Sequence, residues 1–286
     1  RGRSRMSEPP IGIVTDSSSQ ITGHLVERFA VDVVPMTVTI DGVDHLEGVD
    51  LDADGFYAEF DGGAQPELAT SQPAPGRFAT AYEAAAARGC REIVSIHISE
   101  AMSGTIGSAR IAADQAPIPV TIIDTGSASF GVSICVWAAG VAIERGANTA
   151  DIERRVAALV PRIATTFMVG VPLLTERGGR AAGVDLDDDG IQILAMADGP
   201  VEVLDRVSTI DDTIDVMSTY ARGRGEGSTI AIGTADAPSR TLAERLERAV
   251  SGIDGVDGVV NYRIGPSVGA HTGPGTFGLF VFPTIR

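Results

Sequence analysis

The chain has no lysine; all 22 of its basic residues are arginine. It therefore has no residue to serve as a phosphate-loop lysine, a Schiff-base lysine or a lysine general base, and nucleotide chemistry of those kinds must come from elsewhere. Cysteine is nearly absent too. Cys90 and Cys135 are far apart, form no C-x-x-C pair and have no matching histidine cluster, so no disulfide framework, zinc site or other resident cofactor is expected, and a cytoplasmic location is. Long apolar runs are missing. The most apolar stretch, Ala128 to Ile143, is interrupted by Ser129 and Ser133 and falls short of the ~20 residues that span a bilayer, so it reads as a buried helix and no stable membrane insertion is expected. Low-complexity segments and short-period repeats are also lacking. Positive charge is scarce: 22 basic against 38 acidic residues give a formal net charge of -16, which repels nucleic acid and anionic lipid surfaces. Arg1 to Arg5 precede Met6 and read as an expression remnant, with no signal peptide after them.

What is present is enough apolar material for a large core, 44% hydrophobic residues in a chain of 286, which suits one large domain or two of ordinary size. Ile11 to Thr15 reads as a strand that stops at Asp16-Ser17-Ser18-Ser19, followed by a helix with Ile21, Leu25, Val26 and Phe29 on one face. Asp16 and Ser17 either cap that helix or face a ligand crevice. Val31 to Ile40 reads as one strand ending in an Asp41-Gly42 hairpin turn. Asp50 to Gly55 matches half of a calcium loop, but Asp61 stands where a bidentate Glu belongs; it reads as the acidic start of a helix over Phe56 to Phe60. Asp185 to Gly190 repeats the pattern with Met196 at the last position and reads as a solvated turn.

Two hydroxyl-rich loops stand out. Thr70-Ser71-Gln72-Pro73 precedes a helix with Phe78, Tyr82 and Ala85 on one face, and Ser103-Gly104-Thr105 lies between a strand, Ile93 to Ser99, and a helix, Ile106 to Gln115. A small-residue turn at the carboxyl end of a strand aims hydroxyls and free N–H groups at one spot, which suits a carboxylate or a phosphate. Ser103 serves there either as the helix N-cap or as a donor to that anion. The two loops meet at one anion if their strands are neighbours, as consecutive βα units are. Gly269 to Gly275 reads as a glycine-dense turn presenting His271, whereas His97 alternates with Ser95 and Ser99 and reads as a satisfied core residue.

Strand Val120 to Asp124, the apolar helix, a helix over Ala150 to Ala164 and a strand, Thr166 to Val171, continue the alternation, so a mostly parallel sheet with helices on both faces is expected. Beyond Val171 the texture changes to a hairpin, Ile191 to Met196 and Pro200 to Val207 around Asp198-Gly199. Helix Ile210 to Ala221, strand Ser228 to Gly233, helix Ser239 to Val250 and strands Val256 to Ile264 and Phe277 to Phe282 follow. The expected architecture is α/β in two domains, 8–167 with the parallel sheet and 168–286 with a mixed sheet.

Val14-Thr15-Asp16-Ser17, Thr70-Ser71-Gln72-Pro73, Ser103-Gly104-Thr105, Gly178-Gly179-Arg180 and His271-Thr272-Gly273-Pro274-Gly275 occur in an order that resembles the DegV family of bacterial fatty-acid-binding proteins. The resemblance runs from Ile11 to Phe282. It implies two α/β domains, with a long acyl chain in a buried tunnel and its head group near the domain junction. It implies ligand-binding roles for Thr70, Ser71, Ser103, Gly104, Thr105, Arg180 and His271. Thr70 and Ser103 would donate directly to the carboxylate, His271 would reach the same group, and Arg180 would stand beside an acyl phosphate. It further implies that the chain is not itself an enzyme. A separate ATP-binding fatty acid kinase would phosphorylate the bound carboxylate, docking at Arg206, and the chain would then carry the acyl phosphate into phospholipid metabolism. Gln192-Ile193-Leu194 and Ala181 depart from the family's Lys-Pro-Ile-Leu and Gly-Gly-Arg-Ile. Two rival readings are a serine hydrolase, with Ser103 as nucleophile, His271 as base and Asp16 or Asp124 orienting it, and a regulatory protein with structural lipid.

Overall fold

The structure, a computed structural model, describes residues 11–171, 174, 190–197, 201–224 and 226–286. The expected turns at Gly178-Gly179-Arg180, Asp185 to Asp189 and Asp198-Gly199, and Ala181, lie outside these residues.

β1 (Ile11–Asp16), β2 (Asp32–Val34), β6 (Glu92–His97) and β7 (Val120–Asp124) form a parallel sheet in the order β2-β1-β6-β7. Its strands are apolar on both faces because helices cover both. On β1, Ile11 and Ile13 point to one core and Val14 to the other; on β6, Val94 and Ile96 oppose Ile93 in the same way. Phe78, Tyr82 and Ala85 of α3 (Pro75–Ala87) fill the second core with Ala109 and Ala112 of α4 (Thr105–Ala113). The first core is filled by α5 (Phe130–Glu144), in which every residue from Phe130 to Val136 is buried. It is apolar all round because it is enclosed by protein on every side. α6 (Thr149–Leu159) packs beside it through Ile152, Val156 and Leu159, and α1 (Gly23–Phe29) through Leu25 and Phe29.

The second sheet is mixed, in the order β10-β9-β8-β13-β11-β12. Its strands are β8 (Ala164–Met168), β9 (Ile191–Met196), β10 (Glu202–Val207), β11 (Ser228–Thr234), β12 (Val256–Arg263) and β13 (Phe277–Pro283). Only β11 and β12 pair in parallel. α7 (Ile210–Arg222) and α8 (Ala237–Ser251) cover one face, each entered through a capping box, Thr209 with Asp212 and Asp236 with Ser239. Phe277, Leu279 and Val281 of β13 face those helices, whereas Phe280 and Phe282 face α5, so the two sheets share one core.

The third sheet departs from the expectation of a single strand over Val31 to Ile40. Pro35 has no N–H to give and divides it: β2 stays in the parallel sheet, while β3 (Thr37–Ile40) leaves it to pair with β4 (Val43–Leu46) and β5 (Leu68–Ser71) in the antiparallel order β4-β3-β5. The expected hairpin turn is there, with Asp41 and Gly42 at φ 49° and 83°, the left-handed values of a type I′ turn. α2 (Ala53–Ala58) packs Phe56 and Tyr57 beneath this sheet.

Other expectations shift locally. Helix Ala150 to Ala164 stops at Leu159 and tightens into a 3-10 turn, so the strand expected at Thr166 begins at Ala164. The acidic run before α2 is spent on backbone: Asp50 accepts the Leu46 N–H, Asp52 caps the helix at Gly55 N, and Asp54 pairs with Arg263. No helix among the described residues is long and apolar enough to cross a membrane.

The four tyrosines are Tyr57, Tyr82, Tyr220 and Tyr262, and burial raises the phenol of each, Tyr82 to about 12. A raised folded value means that the fold prefers the neutral phenol, so this stability is intact below the unfolded value of about 10 and is lost as pH rises through about 12. With no lysine to titrate alongside, alkaline titration should show phenolate absorbance appearing late and steeply, together with loss of circular dichroism. A gradual phenolate signal centred near ~10 in the folded protein would contradict the burial of these rings.

Candidate functional site

A mostly apolar cavity lies between the inner face of the second sheet and the loops that end the first. It holds about 160 Å³ open to the centres of water-sized molecules, where one water needs ~10–15 Å³. Phe167, Leu194, Met196 and Phe280 supply apolar wall, and Met102 and Ile98 close it from the parallel sheet. Its polar atoms come from separate parts of the chain, among them Ser18, Thr70, Ser103, Ser129, Tyr262, Ser267 and His271.

His271 lies in the last turn of a short helix, α9 (Pro266–Thr272), rather than in the expected glycine turn; the glycines begin after it, where Gly273 takes a φ of 78°. Thr70 lies in β5 of the antiparallel sheet rather than in a loop of the parallel one, so the two hydroxyl-rich segments are not on neighbouring βα units. They meet nonetheless: Thr70 Oγ1 and His271 Nε2 share a hydrogen bond of 2.9 Å across 201 positions of sequence, and both line the cavity with Ser103. Strand alternation turns Ser71 the other way, where it is exposed and does not line the cavity.

Ser103 is not the N-cap of α4; Gly104 is. The Ser103 hydroxyl bonds Thr105 Oγ1 at 2.8 Å and accepts the Thr105 N–H at 3.3 Å. Thr105 is fully buried behind it, reaching the Met36 sulfur. Gly104 is exposed, with the Gln72 side chain packed where a Cβ would stand. Thr105 and Gly104 thus shape the loop from behind, and Ser103 presents the hydroxyl. Arg180 lies outside the described residues. Arg206 is exposed on β10, opposite Gln192 of β9.

The hydrolase arrangement is not assembled. Asp16 is fully buried but holds His97, not His271, through Nδ1 at 2.9 Å. Its other oxygen accepts the Ser18 N–H at 3.1 Å and the Ser18 hydroxyl. Asp124 accepts backbone N–H groups of Gly126 and Glu100. His97 is the satisfied core residue its alternation indicates: its Nε2 shares a hydrogen bond of 2.6 Å with Ser95 Oγ, and Ser95 bonds the Tyr82 phenol at 2.9 Å. Sequence reasoning missed that Ser18 lines the cavity, and so do Ser129 and Tyr262. Ser129, just before α5, adopts φ 54° and ψ -141°, and its side chain tempers the rise that burial gives the Tyr262 phenol. Nothing in the local sequence signals that backbone, since non-glycine residues rarely take it.

A DegV family model, described as that of an uncharacterised protein, matches residues 10–284. A DegV domain-containing protein of Streptomyces coelicolor is 32% identical over 95% of this chain and 98% of its own length. Among solved structures, a DegV family protein from Thermus thermophilus, described for its fatty acid binding, superposes with a TM-score of 0.85 at 28% identity, covering 96% of this chain and 99% of that one. A stearic-acid-binding protein from Eubacterium ventriosum shares the fold at TM-score 0.86 and 21% identity, covering 96% and 98%.

Asp16 has its carboxylate committed to buried donors, so Asp16→Ala should cost about 3 kcal/mol or more. Asp54→Ala, which removes only an exposed pair with Arg263, should cost under about 1 kcal/mol. Denaturant midpoints of the two variants against the parent check both, and equal midpoints would contradict the assignment of Asp16.

Proposed function

The chain belongs to the DegV family, and on that premise we propose that it binds a long-chain fatty acid, with the tail in the cavity and the carboxylate at Thr70, Ser103 and His271. The observation that carries the reading is the Thr70–His271 contact of 2.9 Å at a cavity that Ser103 also lines. A carboxylate taken out of water needs two or three donors or it reverts to its neutral form. Two hydroxyls and an imidazole meet that need. The tail contributes ~0.8 kcal/mol for each methylene it buries, so affinity resides in the apolar wall and orientation in the polar end.

In this reading the chain is a carrier rather than a catalyst. A separate ATP-binding kinase subunit phosphorylates the carboxylate in place, and the chain then holds the acyl phosphate, with Arg180 beside it and Arg206 facing the partner. The absence of lysine suits a division of labour in which the nucleotide is held elsewhere. The division into domains 8–167 and 168–286 belongs to the same proposal, with β8 as the strand at which the chain passes from one sheet to the other.

Mass spectrometry of lipid extracted from the purified protein should return a fatty acid. In Ser103→Ala and Thr70→Val the same lipid should still copurify, but added fatty acid should dissociate about tenfold faster, the loss of one hydrogen bond to a charged group. Total loss of lipid from a variant that remains folded would refute the split between tail and head. Supplying a fatty acid kinase ATP-binding subunit and ATP should convert the bound acid to an acyl phosphate, trapped with hydroxylamine. No conversion would refute the carrier role while leaving lipid binding intact.

A further inference from the structure

Glu47 follows β4 and is 6% exposed, a buried acid with no part in the lipid-binding reading above. Its Oε2 accepts the Ser17 hydroxyl at 2.5 Å, and its Oε1 accepts the Ser267 N–H at 3.1 Å and the Gln20 amide at 3.4 Å. These donors are neutral. An apolar residue would fill the space without desolvating a charge; what the carboxylate adds is two acceptor oxygens and no donor, so it can grip only N–H and O–H groups. Gln20 completes the grip, its Nε2 donating to the Ser17 carbonyl at 3.1 Å and its Oε1 accepting the Gly265 N–H.

The parts gripped are the two sides of the candidate site. Glu47 continues from β4, which pairs with β3, which pairs with the β5 strand bearing Thr70. Ser267 stands in the first turn of α9, and His271 in its last. At seven residues α9 is only about 10 Å long, so a shift at its start is delivered to His271 rather than absorbed on the way. Beyond His271 the chain is fastened again, with Thr272 O accepting the Val171 N–H at 3.0 Å and Asp236 accepting the Gly275 N–H at 2.9 Å.

We propose that Glu47 is a positioning residue: its buried carboxylate fixes the start of α9 against the three-stranded sheet and so sets the Thr70–His271 contact. The consequence for a ligand rests on the fatty-acid reading; the geometry does not.

Two variants test it. Glu47→Gln keeps the shape but leaves one acceptor oxygen where there were two. Gly265→Ala wedges the grip open from outside, because a Cβ there would lie 2.7 Å from both Gln20 Oε1 and Glu47 Oε1. Histidine labelled with a nitrogen isotope reports the His271 ring by NMR in the lipid-free protein, and oleate labelled at its carboxyl carbon reports the head group. Both variants should move the His271 ring signals and release oleate about tenfold faster while His97, in the core, keeps its signals. His271 signals at their parental positions in either folded variant, with only the melting temperature lowered, would overturn the proposal and make Glu47 a plain staple of the fold. If the His271 signals move but the parent protein itself shows no bound oleate, the positioning stands and the fatty-acid reading fails.

Discussion

Buried acid groups govern how this chain is put together. A carboxylate that leaves water must be met by several donors at once, and those donors can be supplied only by bringing separate backbone segments to the same point. Asp16 draws in the turn after β1, His97 and the end of β6. Glu47 draws in the same turn and the start of α9. The residues between these two anchors include Ser18, which lines the cavity, so the polar rim of the cavity is built on the groups that satisfy the buried acids.

The apolar framework around that rim was legible in sequence wherever local pattern decides structure. Short apolar runs located β1 and β6, and spacings such as Phe78-Tyr82-Ala85 located helix faces, because a strand buried on both faces and a helix buried on one leave those patterns behind. The hairpin at Asp41-Gly42 was legible for a different reason, the cheapness of a left-handed backbone at those residues. What sequence did not disclose was partition among sheets. Val31 to Ile40 looks like one strand, yet Pro35 hands its second half to another sheet, and that transfer takes Thr70 away from the parallel sheet as well.

The candidate site was legible as residues but not as a mechanism of assembly. Ser103, Thr70 and His271 were singled out as hydroxyls and an imidazole near turns, and they line one cavity. The route by which they meet is different: Ser103 follows the parallel sheet, Thr70 lies on a strand of the small sheet, and His271 ends a helix. Ser129 could not have been found this way, since its unusual backbone is imposed by what surrounds it. Side chains that a strand turns outward, such as Ser71, carry the same sequence signal as their inward neighbours, so a motif read as a block includes members that face solvent.

Strand β13 sits between β8 and β11 in the middle of the second sheet, although it is the last of them to be made. During synthesis the parallel sheet, complete by Asp124, has all its strands long before the second can close. β8 must wait more than a hundred residues for Phe277 to Val281 to arrive and pair with it. The wall of the cavity is therefore the last part of the protein to exist, and a nascent chain carries an open, greasy half-sheet until its final strand slots in, an interval in which chaperones have the most to offer.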